Sequence, residues 1–446
     1  MSKNDMIIFA VVAIIFFAFT FVSHYFYREY AWWISVESWV PWFQSWDNRF
    51  WKRFVRCIHW FGWEALWPIA IFFYCKFNRA SSHFLISMAT EAIWFTNLLK
   101  MIWNDPAPYM DKDYIKALEC DQNTFQTPSL EVLLAAVAYS GMFYLAYDWI
   151  DVFRPRVKRN NRDSAHPGNN DVVFEDQDED YFLHDRSSYQ VTKANDVSFW
   201  VWLTLVISLV FMIAYASMYI GVNTFDQVFY AMSLGYGFFC VYYYFFKDSI
   251  CQKTVLTSEK MIHSSNIITN MVVHIVPLIL MIVVNRVVYY FQVKDFTVNP
   301  KWKSEHFDEC GVLPFPSFFD KEMWFTYNWM YFNIGCAVGV AFDALVLGGT
   351  RVDYNQVRKS DGRNPWLALI LRFIIAGAWI LLNLWGFVAL LEMMIHHWLF
   401  VMAIPYFVCG FGLFSFIKYL FLFSGASRAE IFPIPEMNAV ELRRAD

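Results

Sequence analysis

Three short stretches of this chain place polar side chains at the ends of long apolar runs. They are Lys100–Pro108 (KMIWNDPAP), Pro128–Glu131 (PSLE) and Ala216–Gly237 (ASMYIGVNTFDQVFYAMSLGYG). Lys100 supplies a cation, and Ser129 and Asn223 supply hydrogen-bond donors, so the set suits an oxyanion such as a phosphate or a lipid headgroup. Its reactive repertoire is thin. The amide nitrogen of Asn223 has no available lone pair and cannot accept a phosphoryl group. Ser129, Ser217, Thr224 and Asp226 are the only nearby nucleophile types, and of these Asp226 could in principle form an aspartyl-phosphate. Glu131, if ionised, would repel a phosphate dianion by like charge.

Taken together, the three stretches resemble the signature of the type 2 phosphatidic acid phosphatase superfamily, which includes the glucose-6-phosphatases and the sphingosine-phosphate phosphatases. That signature reads KxxxxxxRP, then PSGH, then SRxxxxxHxxxD or a close variant. The resemblance implies a helical membrane fold in which one His attacks phosphorus and a second protonates the leaving group. Lys and Arg surround the phosphate, and an acidic or amide side chain orients the nucleophile. Lys100 matches the Lys of the first motif and Pro108 its Pro, but Ala107 stands where Arg is expected. Pro128 and Ser129 match the second motif, while Leu130 replaces Gly and Glu131 replaces the acid/base His. In the third, Gln227 matches the orienting position, Asn223 replaces the nucleophilic His, Ser217 replaces Arg and Ala216 replaces Ser. Cys120 also resembles the Cys that precedes the second motif in glucose-6-phosphatases. The scaffold of the signature is present and most of its chemistry is absent.

Composition says which elements must hold these residues. Of 446 residues, 58% are hydrophobic, 21% aromatic and only 17% charged. Runs of about 20 apolar residues match the roughly 30 Å hydrocarbon layer of a bilayer. The expected fold class is all-α, a polytopic transmembrane bundle of nine or ten spans around a phosphatase-like core. Ten candidate spans lie near 6–27, 60–75, 82–103, 128–150, 197–220, 225–246, 267–292, 324–348, 366–392 and 396–424. The expected organisation is residues 1–59 as a first helix and a Trp-rich interfacial segment, then 60–247 as the core with a flexible loop at 151–196. Residues 248–424 add further spans and 425–446 form a tail. Trp32 to Arg56, dense in Trp and Arg, suits the headgroup layer. With a cytoplasmic N-terminus, about 20 Lys/Arg fall on the cytoplasmic side and about 11 on the other.

A net charge of −5 gives no sign of a nucleic-acid partner. The eight cysteines lack metal spacing and those in apolar runs read as packing, while Cys120 and Cys310 share a face where a disulfide could form. No cofactor or metal is expected, His396 and His397 included. Ionisable residues within the spans, His83, Glu91, His274, Arg286, Asp343 and Glu392, read as interhelical partners rather than a transport path. Lys100 and Glu131 could pair with each other. The expected function is a catalytically inactive scaffold or accessory subunit whose partners are membrane lipids and other membrane proteins. An active phosphatase with a non-standard site, and a transporter or channel, are the alternatives. The resemblance favours the endoplasmic reticulum; a mitochondrial or other organelle membrane is the alternative.

Overall fold

The computed structural model describes residues 3–46, 48–76, 79–118, 125–153, 197–258, 264–310, 319–347, 352–353, 365–387, 399–424, 426 and 428–429. Cys120, the predicted loop up to residue 196, Glu392, His396, His397 and the tail beyond 430 therefore lie outside the described residues.

Each predicted span overlaps a helix among the described residues. α1 (Lys3–Ile34) continues through a π-helical turn (Ser35–Trp39) into α2 (Val40–Gln44). α3 (Arg49–Trp60) starts at Asn48, whose side chain accepts from Phe50 N at 2.9 Å, a regular N-cap. α4 (Leu66–Lys76), α5 (Arg79–Trp103), the short α6 (Pro108–Asp111), α7 (Leu130–Phe153), α8 (Val197–Ile220) and α9 (Phe225–Ser258) follow. Beyond them come α10 (Ser264–Asp295), α11 (Pro300–Cys310), α12 (Asp320–Leu345), α13 (Pro365–Leu381), α14 (Leu399–Ser415) and α15 (Ile417–Phe423). A two-residue antiparallel pair, Val352–Asp353 with Arg428–Ala429, is the only sheet among the described residues.

By length and composition alone, four helical stretches could cross a membrane: Ile7–Gln44, Phe199–Ile220, Ser264–Asp295 and Trp366–Leu384. The pair Ala403–Ser415 and Ile417–Phe423, bent by 45°, would add a fifth. Their outward faces carry exposed large apolar side chains, among them Ile14 on α1, Trp202 on α8, Leu280 on α10 and Leu367 on α13. Such a surface is matched to lipid rather than water. Of the other predicted spans, those on α4 and α7 are apolar but shorter over the described residues, Leu66–Lys76 and Leu130–Ala146. α5, α9 and α12 sit inside the bundle, where polar side chains meet each other instead of lipid, so they need not be uniformly apolar.

Those internal contacts account for the ionisable residues. Arg79 donates to Asp343 at 2.9 Å, and Lys418 and Tyr419 donate to the same carboxylate. His83 Nδ1 meets Thr254 Oγ1 at 2.9 Å, and His274 Nε2 meets Asn333 Oδ1 at 3.3 Å. Tyr242 donates to Glu91 at 2.8 Å. Arg286 lies over the ring of Tyr289. α12 and α14 pack backbone to backbone: a Cβ on Gly335 would come within 2.2 Å of Phe407 O, and one on Gly410 within 2.2 Å of Phe332 O. The Trp-rich segment is not one interfacial helix. It divides into the end of α1, the π turn, α2 and the amphipathic α3. Cys310 is disulfide-bonded, whereas Cys57, Cys75, Cys240, Cys251, Cys336 and Cys409 are free.

Candidate functional site

The turn between α8 and α9 builds the centre of the site. Gly221, at φ 85°, takes the left-handed conformation that closes a helix. Gly221 N bonds Met218 O at 3.0 Å and Val222 N bonds Ser217 O at 3.3 Å, the two bonds of a Schellman terminus. A Cβ at Gly221 would also meet Lys116 O at 2.5 Å, so the position needs glycine twice over. Thr224 then caps α9. Gln227, three residues on, turns its Oε1 back to Thr224 N at 2.9 Å, which is half of a capping box. Asn223, between the two helix ends, gives its N–H to Ser217 O at 3.3 Å.

Gln227 also ties this turn to the other two stretches. Its Nε2 donates to Pro106 O at 3.1 Å, and its backbone carbonyl receives Ser129 N at 3.4 Å. Pro106 pairs with Phe125 in an isolated antiparallel bridge, and Gln126 N bonds Asp105 O at 2.9 Å. Ser129 Oγ donates to Glu131 Oε2 at 3.0 Å at the start of α7, where a carboxylate also opposes the positive end of the helix dipole. Ser129 is one partner of Glu131, whose Cβ side faces Gly62 in the turn before α4. Lys100 lies on the last turn of α5, one turn before this loop. Lys100, Ser129, Ser217, Asn223 and Gln227 are all 0% exposed, Glu131 is 5% exposed, and Ala107 is fully enclosed by apolar side chains.

What encloses them is the N-terminal segment together with the loops. Val36 and Val40 pack with Met101, Ala107, Tyr109, Met110, Ile115, Phe125 and Phe319. Phe225 N donates to Ser35 Oγ at 3.2 Å, leaving that α9 amide no room for a ligand oxygen. Gln44 Nε2 donates to Lys116 O and Tyr219 O, and Lys116 N returns a bond to Gln44 Oε1. Arg28 pairs with Asp105 and adds its charge beside Asp226, which is 3% exposed. Outside the bundle, Lys301 Nζ lies 3.0 Å from Asp113, whose carboxyl its hydrogen bond holds below the usual carboxylate range.

Sequence reading singled out neither Arg28 nor Gln44. Arg28 is an isolated charge near the end of an apolar run, and Gln44 lies in a stretch dominated by Trp; neither has a spacing signal. Among the described residues, Ser217 Oγ and both amide atoms of Asn223 have no hydrogen-bond partner. A buried polar atom in that state costs about 1–3 kcal/mol. The described residues include no grouping of three or more His, Cys, Asp or Glu that could hold a metal. Chemically the site offers a cation, hydroxyls and an amide, with neither imidazole nor guanidinium at the matched positions.

Residues 81–251 match the PAP2 superfamily. The matched segment begins within α5 and ends within α9, and so contains all three stretches. No curated protein and no solved structure gives a match.

Proposed function

We propose, from the premise that residues 81–251 form a PAP2 superfamily domain, that this phosphatase-like membrane protein is catalytically inactive. It acts as a scaffold or accessory subunit that keeps the phosphatase architecture without its reaction. One observation carries the reading: Asn223, fully buried between α8 and α9, occupies the place where the resemblance requires a nucleophilic histidine. The amide cannot form a phosphohistidine-like intermediate, and loss of a nucleophile from a concerted site removes many orders of magnitude of rate. Ala107 strengthens it. An arginine there would have to displace the apolar cluster that closes around it.

Lys100, Ser129 and Asn223 remain the groups suited to a phosphate or lipid headgroup, and their burial means that such a ligand requires the N-terminal segment to move. The Cys310 disulfide supports an oxidising compartment on the face that carries α11, which suits the lumen of the endoplasmic reticulum.

The test is a phosphatase assay on purified protein with lipid phosphates and sugar phosphates. Turnover no higher than that of the Asn223→Ala variant is expected. Turnover abolished by Asn223→Ala overturns the reading. Turnover abolished by Asp226→Asn, with a phosphorylated aspartate trapped on the wild type, also overturns it in favour of an aspartyl-phosphate route.

A further inference from the structure

The amphipathic helix α3 (Arg49–Trp60) carries a charge pattern that the candidate site does not use. The chain as a whole is acidic, with 40 Asp and Glu against 35 Lys and Arg. Residues 48–63 break that balance: they hold Arg49, Lys52, Arg53 and Arg56 and no carboxylate. The spacing of these four, at i, i+3, i+4 and i+7, puts them in one stripe along the helix. Arg49 and Arg53 are exposed, and neither takes part in a hydrogen bond or ion pair among the described residues. Arg56 is exposed too, and it fixes the stripe to the neighbouring loop by donating to Leu118 O at 2.8 Å.

The other two faces of α3 say at what depth the stripe lies. One packs on the bundle: Val55 and His59 are buried, and Trp51 Nε1 donates to Tyr215 Oη at 3.1 Å. Tyr215 is little more than one turn from Ile220, where α8 ends, so α3 lies against the end of a helix long and apolar enough to cross a membrane. The face on the other side of the stripe holds Phe50 and Phe54, which turn away from the bundle and are 73% and 37% exposed. Trp39, Trp42 and Trp46, just before α3, are exposed as well. Large aromatic side chains bared at the end of a span suit the boundary between hydrocarbon and headgroups. With Phe50 and Phe54 at that boundary and one flank on α8, the cations lie at the depth of the lipid phosphates. A water-facing surface for an acidic protein would have no use for the aromatic flank. A zwitterionic headgroup balances its phosphate with a cation of its own. Four cations with no carboxylate among them are matched instead by lipids of net negative charge.

We propose that α3 is a docking surface for anionic phospholipid, with Arg49 and Arg53 against the headgroup phosphates and Phe50 and Phe54 among the upper acyl carbons. The surface is separate from Lys100, Ser129 and Asn223, so it stands whether the chain is an inactive scaffold or an active phosphatase.

The test uses the full chain in phosphatidylcholine vesicles holding a small fraction of a photoreactive phospholipid, with a diazirine on the acyl carbons next to the glycerol. Phosphatidylserine and phosphatidylcholine forms of the probe are compared, and the cross-linked peptides are mapped. The readout is the serine-to-choline ratio of adducts on residues 49–60, divided by the same ratio on the outward face of α10. A value of about five is expected from a single cation at the surface, and more from the stripe. Arg49→Gln with Arg53→Gln should lower it by about fivefold or more. Arg49→Lys with Arg53→Lys keeps both charges and should leave it unchanged. Salt at about 0.5 M should lower it in the wild type, because the screening length falls to a few ångströms. Equal ratios on α3 and α10 in the wild type would overturn the proposal and leave the stripe to an acidic segment of a protein partner; this result needs no variant to fold. A raised ratio that survives the double Gln substitution in a folded protein would also overturn it. So would a preference for phosphatidylserine that phosphatidylglycerol does not share, since headgroup shape rather than charge would then be recognised.

Discussion

Helix α5 runs between two buried polar sites that are built on opposite plans. At its start, Arg79 meets Asp343, and the same carboxylate takes Lys418 and Tyr419. Arg372 lies beside them, donating to Cys75 O at 3.2 Å and Ala426 O at 2.9 Å. These donors and acceptors lock α5, α12 and α15 to one another and α13 to α4. At the other end, past Lys100, the polar groups are amides, hydroxyls and the Glu131 carboxylate. Asn223 and Ser217 carry polar atoms with no partner among the described residues. Gln227 and Ser129 join the three stretches there. The first site is what a membrane protein builds when charges serve architecture. In the second, the side-chain amide of Asn223 makes no hydrogen bond among the described residues, and Ala107 is packed in an apolar cluster.

That contrast can be broken most forcefully at Asp343. Asp343→Ala should remove the carboxylate that Arg79 and Lys418 share and destabilise the protein by about 3–5 kcal/mol, read as a lower midpoint of thermal unfolding in detergent. An unchanged midpoint would remove the distinction between the two ends. Next in size is Gln227→Leu. It deprives Thr224 N and Pro106 O of their partners, and a loss of about 2–4 kcal/mol is expected from two buried groups. A value near zero would mean that the three stretches are held together without it.

Asn223→Leu should be nearly silent, within about 1 kcal/mol of the parent, because a buried polar group without partners is exchanged for an apolar one of similar shape. A loss as large as that of Gln227→Leu would show that Asn223 is a working part of the site. The smallest effect belongs to the exposed pair Lys301–Asp113. The folded Asp113 carboxyl titrates below its ordinary value, so the stabilising contact is present at neutral pH. It is lost as the pH falls through that depressed value. Lys301 is shifted upward by the same contact, so its contribution is lost again only as the pH rises through its raised value. Amide protection factors in 108–113 and 300–310, corrected for the intrinsic exchange rate, should therefore fall in acid while those of α5 do not.

The sequence carried the helices and the three stretches because both are local. Apolar runs of bilayer length announce helices wherever they occur. The Lys100-to-Pro108 spacing and the Ser217-to-Gln227 spacing follow from helix ends and turns, which short-range geometry fixes. Gln227 three residues beyond Thr224 is a capping pattern visible in the letters alone. The sequence also showed that imidazole and guanidinium are missing at the matched positions, since that is a matter of residue type.

Only the tertiary structure decided what covers the site and what lies beside the helices. Gln44 and Ser35 are 175 and 190 residues from Tyr219 and Phe225, their partners at the α8–α9 turn, and nothing in the spacing of a Trp-rich segment specifies that meeting. The partners of Arg79 and His83 were equally hidden, because an ion pair across 264 residues has no period to read. The apolar cavity beside α5, lined by Leu66, Ala70, Ala89 and Ala138 among others, is the plainest case. Alanines at 70, 89 and 138 are unremarkable in sequence. They become the walls of one space only when α4, α5 and α7 are brought side by side, since a cavity is a property of the packing of several helices and of none of them singly.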